Sequence, residues 1–260
     1  MIDFMTPLAP SASAAGHGRP KSRVPKASDV IAARLRAQIL GDRLEVGTEL
    51  PSEAELIEGE GFSRSTVREA LRLLEADGLI VTKRGPGGGI RVSRPDINQI
   101  SRSMAILFTS QAITHREFLQ FRRTIEPAIA ALAATAATDD QRQWLMSIAQ
   151  SEDAAYTGVG ASVQFHEAVA VCSNNRVIAA VLSAVESALE APVGHAALPS
   201  SIVHGTTKSH VRIAKLIGAG KADEASAAML RHLDAFFKSV EQQGRLDLPA
   251  VSKFYWQERV

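Results

Sequence analysis

The chain has 260 residues, long for one domain and suited to two of modest size. With 45% hydrophobic and 22% charged residues it has apolar side chains enough for a core, which excludes a wholly disordered protein. Only 5% is aromatic while Ala, Leu, Ile and Val dominate, a balance that favours helix packing over a sheet sandwich, so the expected fold class is mainly α.

The one cysteine, Cys172, cannot form an internal disulfide, and no CxxC pair suggests a thiolate metal site; a cytoplasmic location is expected. No run approaches the roughly 18 apolar residues that span a bilayer. The opening residues, with Asp3 and interrupting prolines, do not read as a signal peptide, so no membrane partner is expected. The formal net charge is +1 and unevenly placed. Residues 1–27 carry Arg19, Lys21, Arg23 and Lys26 against Asp3, whereas 28–95 hold ten Lys/Arg against eleven Asp/Glu and 96–260 fifteen against sixteen. Bulk charge therefore does not point to nucleic acid; such a claim rests on where particular arginines stand.

In chain order, residues 1–27 are rich in Ser, Ala, Gly and Pro and predict a flexible basic arm, either inert or touching phosphates. Residues 28–95 form a compact pattern. Ser28 is placed to cap a helix through Ile31, Leu35, Ile39 and Leu40 that Gly41 stops. Ser52 and Glu55 have capping-box spacing for a short second helix ending near Glu60 and Gly61. Ser63 caps a third from about Arg64 to Asp77, ended by Gly78, and the three together make a helix-turn-helix outline.

On the third helix Arg64, Arg68 and Arg72 recur every four residues and share a face, while Val67, Leu71 and Leu74 lie on another. One side packs and the other presents guanidinium groups. LIVTKR, GPGGG and IRV then predict two short strands joined by a glycine-rich turn, a wing with Lys83, Arg84 and Arg91 on or near it. The plain alternative for the arginines is a solvated face, with Arg72 paired to Glu75 or Asp77. A basic wing directly after the helices tips the reading to double-stranded DNA, because guanidinium forks suit guanine edges and phosphates.

LPSEAEL, FSRSTVREALRLLEADGLI and TKRGPGGGIRV resemble the winged helix-turn-helix of the GntR family of bacterial transcriptional regulators. The resemblance implies that Arg64 and Arg68 are recognition-helix arginines, with Ser65, Thr66 and Arg72 beside them and Thr66 against phosphate or base. It also implies that Lys83, Arg84, Gly87 and Gly88 belong to a wing whose glycine tip enters the minor groove. Ala54 stands where members often carry an arginine after the PSE tripeptide, which bears on one DNA contact and on the operator sequence.

Arg94-Pro95-Asp96 marks a boundary, after which residues 96–245 predict an all-helical antiparallel bundle and 246–260 a tail. A first helix is expected over about 99–109, and in the next Phe118, Arg122, Ile125, Ile129 and Leu132 lie on one stripe. A buried guanidinium needs an anion. Glu126, at i+4, is one candidate and a ligand carboxylate the other. His166, His210 and His232 each sit at the apolar face of their own helix. Each alone reads as a satisfied core histidine; three from three helices suggest a metal site inside a bundle. His17, His115, His195 and His204 read as arm, cap or loop residues.

FRRTIEPAIAALAA, SVQFHEAVAVCSNN and SHVRIAKLIGAGKADEASAAMLRHL are similar to the FCD ligand-sensing domain of the FadR subfamily. In that family one Asp and three His hold a divalent metal, and a carboxylate effector binds the metal and nearby polar groups. By resemblance His166, His210 and His232 are metal ligands, and they face a small organic or sugar acid together with Arg122 and Ser162. Arg122 matches the arginine of the family's arginine-x-x-leucine-glutamate pattern, with Ile125 in the leucine's place. Ser162 occupies the position of the family's Asp, so a neutral hydroxyl stands where a carboxylate is expected. Three imidazoles can still hold zinc or nickel with an open position, and an anionic effector can supply the missing charge. The expectation is a homodimeric DNA-binding regulator, a repressor relieved by its effector and not an enzyme. The alternative is a metal-dependent enzyme with a three-histidine site. No placed acid or base supports it, since Glu167 lies about 100° round the helix from His166.

Overall fold

The computed structural model describes residues 25–83, 85, 88–155, 159–193 and 200–251, with side chains at all of these except 60, 151–155, 159–162, 190–193 and 200–205. The expected arm lies almost wholly outside them. The chain divides into two compact units between Pro95 and Asp96.

In the first unit, helix α1 (Ala27–Gly41) starts earlier than its sequence suggests. Ser28, expected as its cap, lies buried in the first turn, because the Lys26 carbonyl already accepts from Asp29 and Val30. Helices α2 (Glu53–Glu60) and α3 (Arg64–Ala76) begin as expected. Ser52 accepts from the Glu55 amide while the Glu55 carboxylate returns to the Ser52 amide at 2.8 Å, and Ser63 accepts from the Thr66 amide at 3.2 Å. Val67, Ala70, Leu71 and Leu74 on α3 bury against Ile31, Leu35 and Ile39 of α1. Strands β2 (Ile80–Lys83) and β3 (Gly89–Val92) pair antiparallel with Thr82 opposite Ile90, forming the wing. A two-residue strand β1 (Glu49–Leu50) adds to the other edge of β3; it is too short for any periodicity to show in sequence. The wing turn requires glycine: a Cβ at Gly88 would stand 2.3 Å from the Lys83 carbonyl oxygen, and Gly85 has φ +101°.

The second unit is all-helical, with α4 (Ile97–Ser110), α5 (His115–Ala136), α6 (Asp139–Ala155), α7 (Val159–Cys172), α8 (Arg176–Val193), α9 (Ser200–Gly218) and α10 (Ala222–Gln242). A capping box between Thr114 and Glu117 starts α5, which packs on α7, α9 and α10; small residues Ala130, Ala133 and Ala134 let these neighbours approach closely. Leu132, expected on the inner stripe, is 45% exposed. It lies about 200° round the helix from Ala130 and Ala134, and Leu119, Glu126 and those alanines take the inner face. Residues 246–251, expected as tail, pack onto the bundle instead. Backbone carbonyls of Leu248 and Leu246 accept from the His115 and Arg116 amides at 3.1 and 2.8 Å, satisfying donors that the start of α5 leaves unpaired. Leu246, Ala250 and Val251 are buried. No helix among the described residues is long and apolar enough to cross a membrane.

Candidate functional sites

The first candidate site is the outer face of α3. Arg64, Ser65, Arg68 and Arg72 are exposed and Thr66 half-buried, all within the first three turns. Ser63 Oγ lies 2.9 Å from Ser65 Oγ and 2.8 Å from Thr66 Oγ1, so three hydroxyls gather at the positive pole of the helix. Arg68 Nε donates to Glu53 Oε1 at 2.8 Å. Arg72 reaches Glu69 at 3.5 Å, and Asp77 pairs with Arg36. Lys83 is exposed at the end of β2, beside Gly88; Arg84 and Gly87 lie outside the described residues. Arg91 turns back to the Gly47 carbonyl at 3.1 Å and to Glu49 at 3.5 Å, tying β3 to the chain before β1.

The second lies inside the bundle. His166 on α7, His210 on α9 and His232 on α10 are buried, and their Nε2 atoms converge: His210 to His232 at 3.1 Å, His232 to His166 at 3.3 Å. Phe165 stacks on the His210 ring with centroids 4.0 Å apart. The separations match the edge of a tetrahedron of nitrogens about 2.0–2.1 Å from a central ion, which is about 3.3 Å. One tautomer of His232 cannot serve both neighbours through Nε2. A neutral His232 Nε2 either donates or accepts, and a donated proton reaches only one of its two neighbours. A cation shared by three lone pairs removes that conflict, so the residues present fit a divalent metal. Ser162 is on α7, and its side chain lies outside those described.

Behind the histidines sits a buried charge cluster. Arg122 pairs with Glu126 one turn along α5 and, at 3.1 Å, with Glu186 on α8; both carboxylates are 2% exposed. The anion that the sequence demands for Arg122 is thus present twice within the chain. Arg122 Nη2 is nevertheless buried with no hydrogen-bond partner among the described residues. Glu126 Oε2 faces His166 Nδ1 at 2.5 Å, the carboxylate–histidine arrangement that leaves Nε2 as the ligating atom. Burial raises the Glu126 carboxyl, but Arg122 and His166 outweigh it and hold it below the usual range. Burial, then Arg122, pushes His166 down to about 4 against the opposing pull of Glu126. Burial, then Arg122, takes His210 to about 3. His232 is pushed well below its ordinary value by burial, then by His210 and His166. All three are neutral at pH 7, the form that binds metal.

Glu126 is visible in sequence as a partner for Arg122, but its second oxygen on His166 depends on how α5 and α7 pack. Glu186 had one signal, a lone acid in the apolar run VIAAVLSAVESAL, four residues after buried Leu182. His115, read as a cap or loop residue, opens α5 and is 8% exposed. Burial, then Arg245, lowers its pKa. His17 and His195 lie outside the described residues, and the His204 side chain does too.

Residues 27–92 match the family described as bacterial regulatory proteins, gntR family, and residues 117–235 match the FCD domain. The chain is 31% identical over 215 residues to a regulatory protein attributed to the L-lactate dehydrogenase operon of Escherichia coli (strain K12), covering 79% of this chain and 83% of that protein. It is 31% identical over 251 residues to the HTH-type transcriptional repressor NanR of Edwardsiella tarda (strain FL6-60), covering 92% and 95%. Among solved structures, the Streptococcus agalactiae GntR superposes with a TM-score of 0.59 at 26% identity, over 81% of this chain and 99% of that one. These relatives are transcription regulators, which decides against the metalloenzyme alternative.

Proposed function

The chain belongs to the gntR family of bacterial regulatory proteins and carries an FCD domain, and from that premise we propose a homodimeric repressor whose operator affinity is set by a small carboxylate held beside His166, His210 and His232. DNA binding and a small-molecule effector follow from the two domains. Repression draws on the likeness to the transcriptional repressor NanR, and the homodimer on the two-fold symmetry of palindromic operators.

The observation that carries the effector reading is charge balance. Among the described residues, one guanidinium and two carboxylates leave the buried cluster with one negative charge in surplus. A divalent cation turns the surplus into one positive charge, and a monocarboxylate brings it to neutrality. The anionic ligand that Ser162 does not supply is thereby offset by Glu186 from behind. Bound zinc or nickel, which three imidazoles favour over magnesium or calcium, would supply positive charge and open coordination positions for the acid. Arg122 Nη2 offers the acid a further donor, and the pair to Glu126 keeps that guanidinium in place.

An effector that prefers one geometry of the protein shifts operator affinity by linkage, and operator shifts effector affinity equally. Two tests address the two sites. Replacing Arg68 with Ala is expected to weaken binding to a selected operator duplex by about 1–3 kcal/mol; unchanged specific binding in a mobility-shift titration contradicts the assigned face. Replacing Glu126 with Gln is expected to weaken zinc binding by about 10–100-fold in competition with a chromophoric chelator. An unchanged zinc affinity removes Glu126 from the metal's surroundings.

A further inference from the structure

Arg68 does not stand alone on the recognition face. Its Nε donates to Glu53 Oε1 at 2.8 Å, a bond that crosses from α3 to the first residue of α2. The Arg68 side chain is 56% exposed and that of Glu53 33%, so the pair sits at the rim from which DNA would displace water. Glu53 is itself fixed: it follows Ser52, whose capping box with Glu55 locks the start of α2.

The contact uses one edge of the guanidinium. Among the described residues the hydrogen bond of Arg68 is the one through Nε, which leaves the Nη1/Nη2 edge to present two parallel donors. That edge matches the O6/N7 pair of guanine, the base contact arginine makes best. An untethered arginine spreads over many rotamers and takes any phosphate within reach. Glu53 changes both circumstances, since it holds the fork in one orientation and places a negative charge where a phosphate would otherwise approach. Exposed ion pairs add little to stability, so folding alone gives this one little importance.

We infer that Glu53 is a specificity-determining residue, positioning Arg68 for a base edge and discouraging its use on phosphate. The inference rests on α3 being the DNA-recognition helix. The same logic separates Arg68 from Arg72, whose contact to Glu69 is 3.5 Å long and within its own helix.

The test uses the full-length protein, a duplex selected by the wild type from a random-sequence pool, and a scrambled duplex of equal composition. Glu53→Gln keeps an acceptor for Arg68 Nε but removes the charge; Glu53→Ala removes both. Scrambled-duplex binding is expected to rise about threefold in both variants, with the slope of log affinity against log salt steepening by about one as Arg68 joins the phosphate contacts. The ratio of selected to scrambled affinity is expected to fall about 3–10-fold in Glu53→Ala and less in Glu53→Gln. A purely structural role would weaken both duplexes together and leave the slope alone, and that result overturns the inference. If Glu53→Ala does not fold, Glu53→Gln carries the test through slope and ratio. A wild type that selects no sequence overturns the recognition-helix reading and this inference together, whereas a selective wild type with unchanged variants overturns this inference alone.

Discussion

Replacing Arg122 with Leu is expected to lower folding stability by about 3–5 kcal/mol, the cost of stranding buried charge when one member of an ion-pair cluster is removed. Glu126 and Glu186 are both 2% exposed, and among the described residues Arg122 is the arginine paired with both. Without it two carboxylates share a dry interior, and like charges in low dielectric must protonate, separate or unfold. Urea unfolding at pH 7.5 measures the loss. Adding Glu186→Gln to the Arg122→Leu chain should restore part of it, because one stranded charge is then gone. A loss below about 1 kcal/mol, as for an exposed arginine, contradicts a compensated triad. This result also bears on function, because an arginine reserved for an effector and otherwise idle could be removed at little cost.

Acidification is the second large effect. An unfolded histidine titrates near 6.5, whereas His166 and His210 in the fold are held to about 4 and about 3, and His232 well below its ordinary value. Below pH 6.5 the unfolded chain therefore binds protons that the folded chain refuses, so stability present above that pH is lost as pH falls toward the folded values. Glu126, also depressed in the fold, adds loss of the same sign further down. Where the unfolded histidines are protonated and all three folded imidazoles stay neutral, the slope approaches about 4 kcal/mol per pH unit, near pH 5. Urea midpoints of chelator-treated protein at pH 7.5 and 5.5 test this, and a His166→Gln, His210→Gln, His232→Gln chain should lose most of the slope. Equal midpoints in the unsubstituted chain contradict neutral, buried imidazoles. Bound zinc should raise the midpoints without flattening the slope, and carry it to lower pH, because it keeps the same nitrogens unprotonated in the fold while the unfolded chain still takes up protons.

How far the sequence reaches is clearest at individual residues. The helix-turn-helix was legible because its signals are local: Ser52 with Glu55, Ser63 before Arg64, and Val67, Leu71 and Leu74 at helical spacing all act within one or two turns. The wing was legible because Gly85 and Gly88 answer to backbone needs no other residue meets. Convergence of His166, His210 and His232 could be suspected from three apolar helix faces, but their 3.1 and 3.3 Å approach is a product of packing among α7, α9 and α10. Glu186 was hidden for the same reason, since its partner Arg122 is 64 residues away in sequence and the pairing depends on where packing against α4 and α7 places α8. The docking of 246–251 on the start of α5 uses backbone carbonyls, which carry no residue signature at all.

Control of DNA binding by a small acid at the three-histidine centre is open to one direct titration. Full-length protein would be titrated onto its selected duplex, zinc-loaded and chelator-stripped, in the presence of central-metabolism and sugar acids. At least one carboxylate is expected to shift operator affinity by about 5–150-fold in the zinc-loaded protein and far less in the stripped one. Binding to the selected duplex that no carboxylate alters, or that shifts equally with and without zinc, contradicts it.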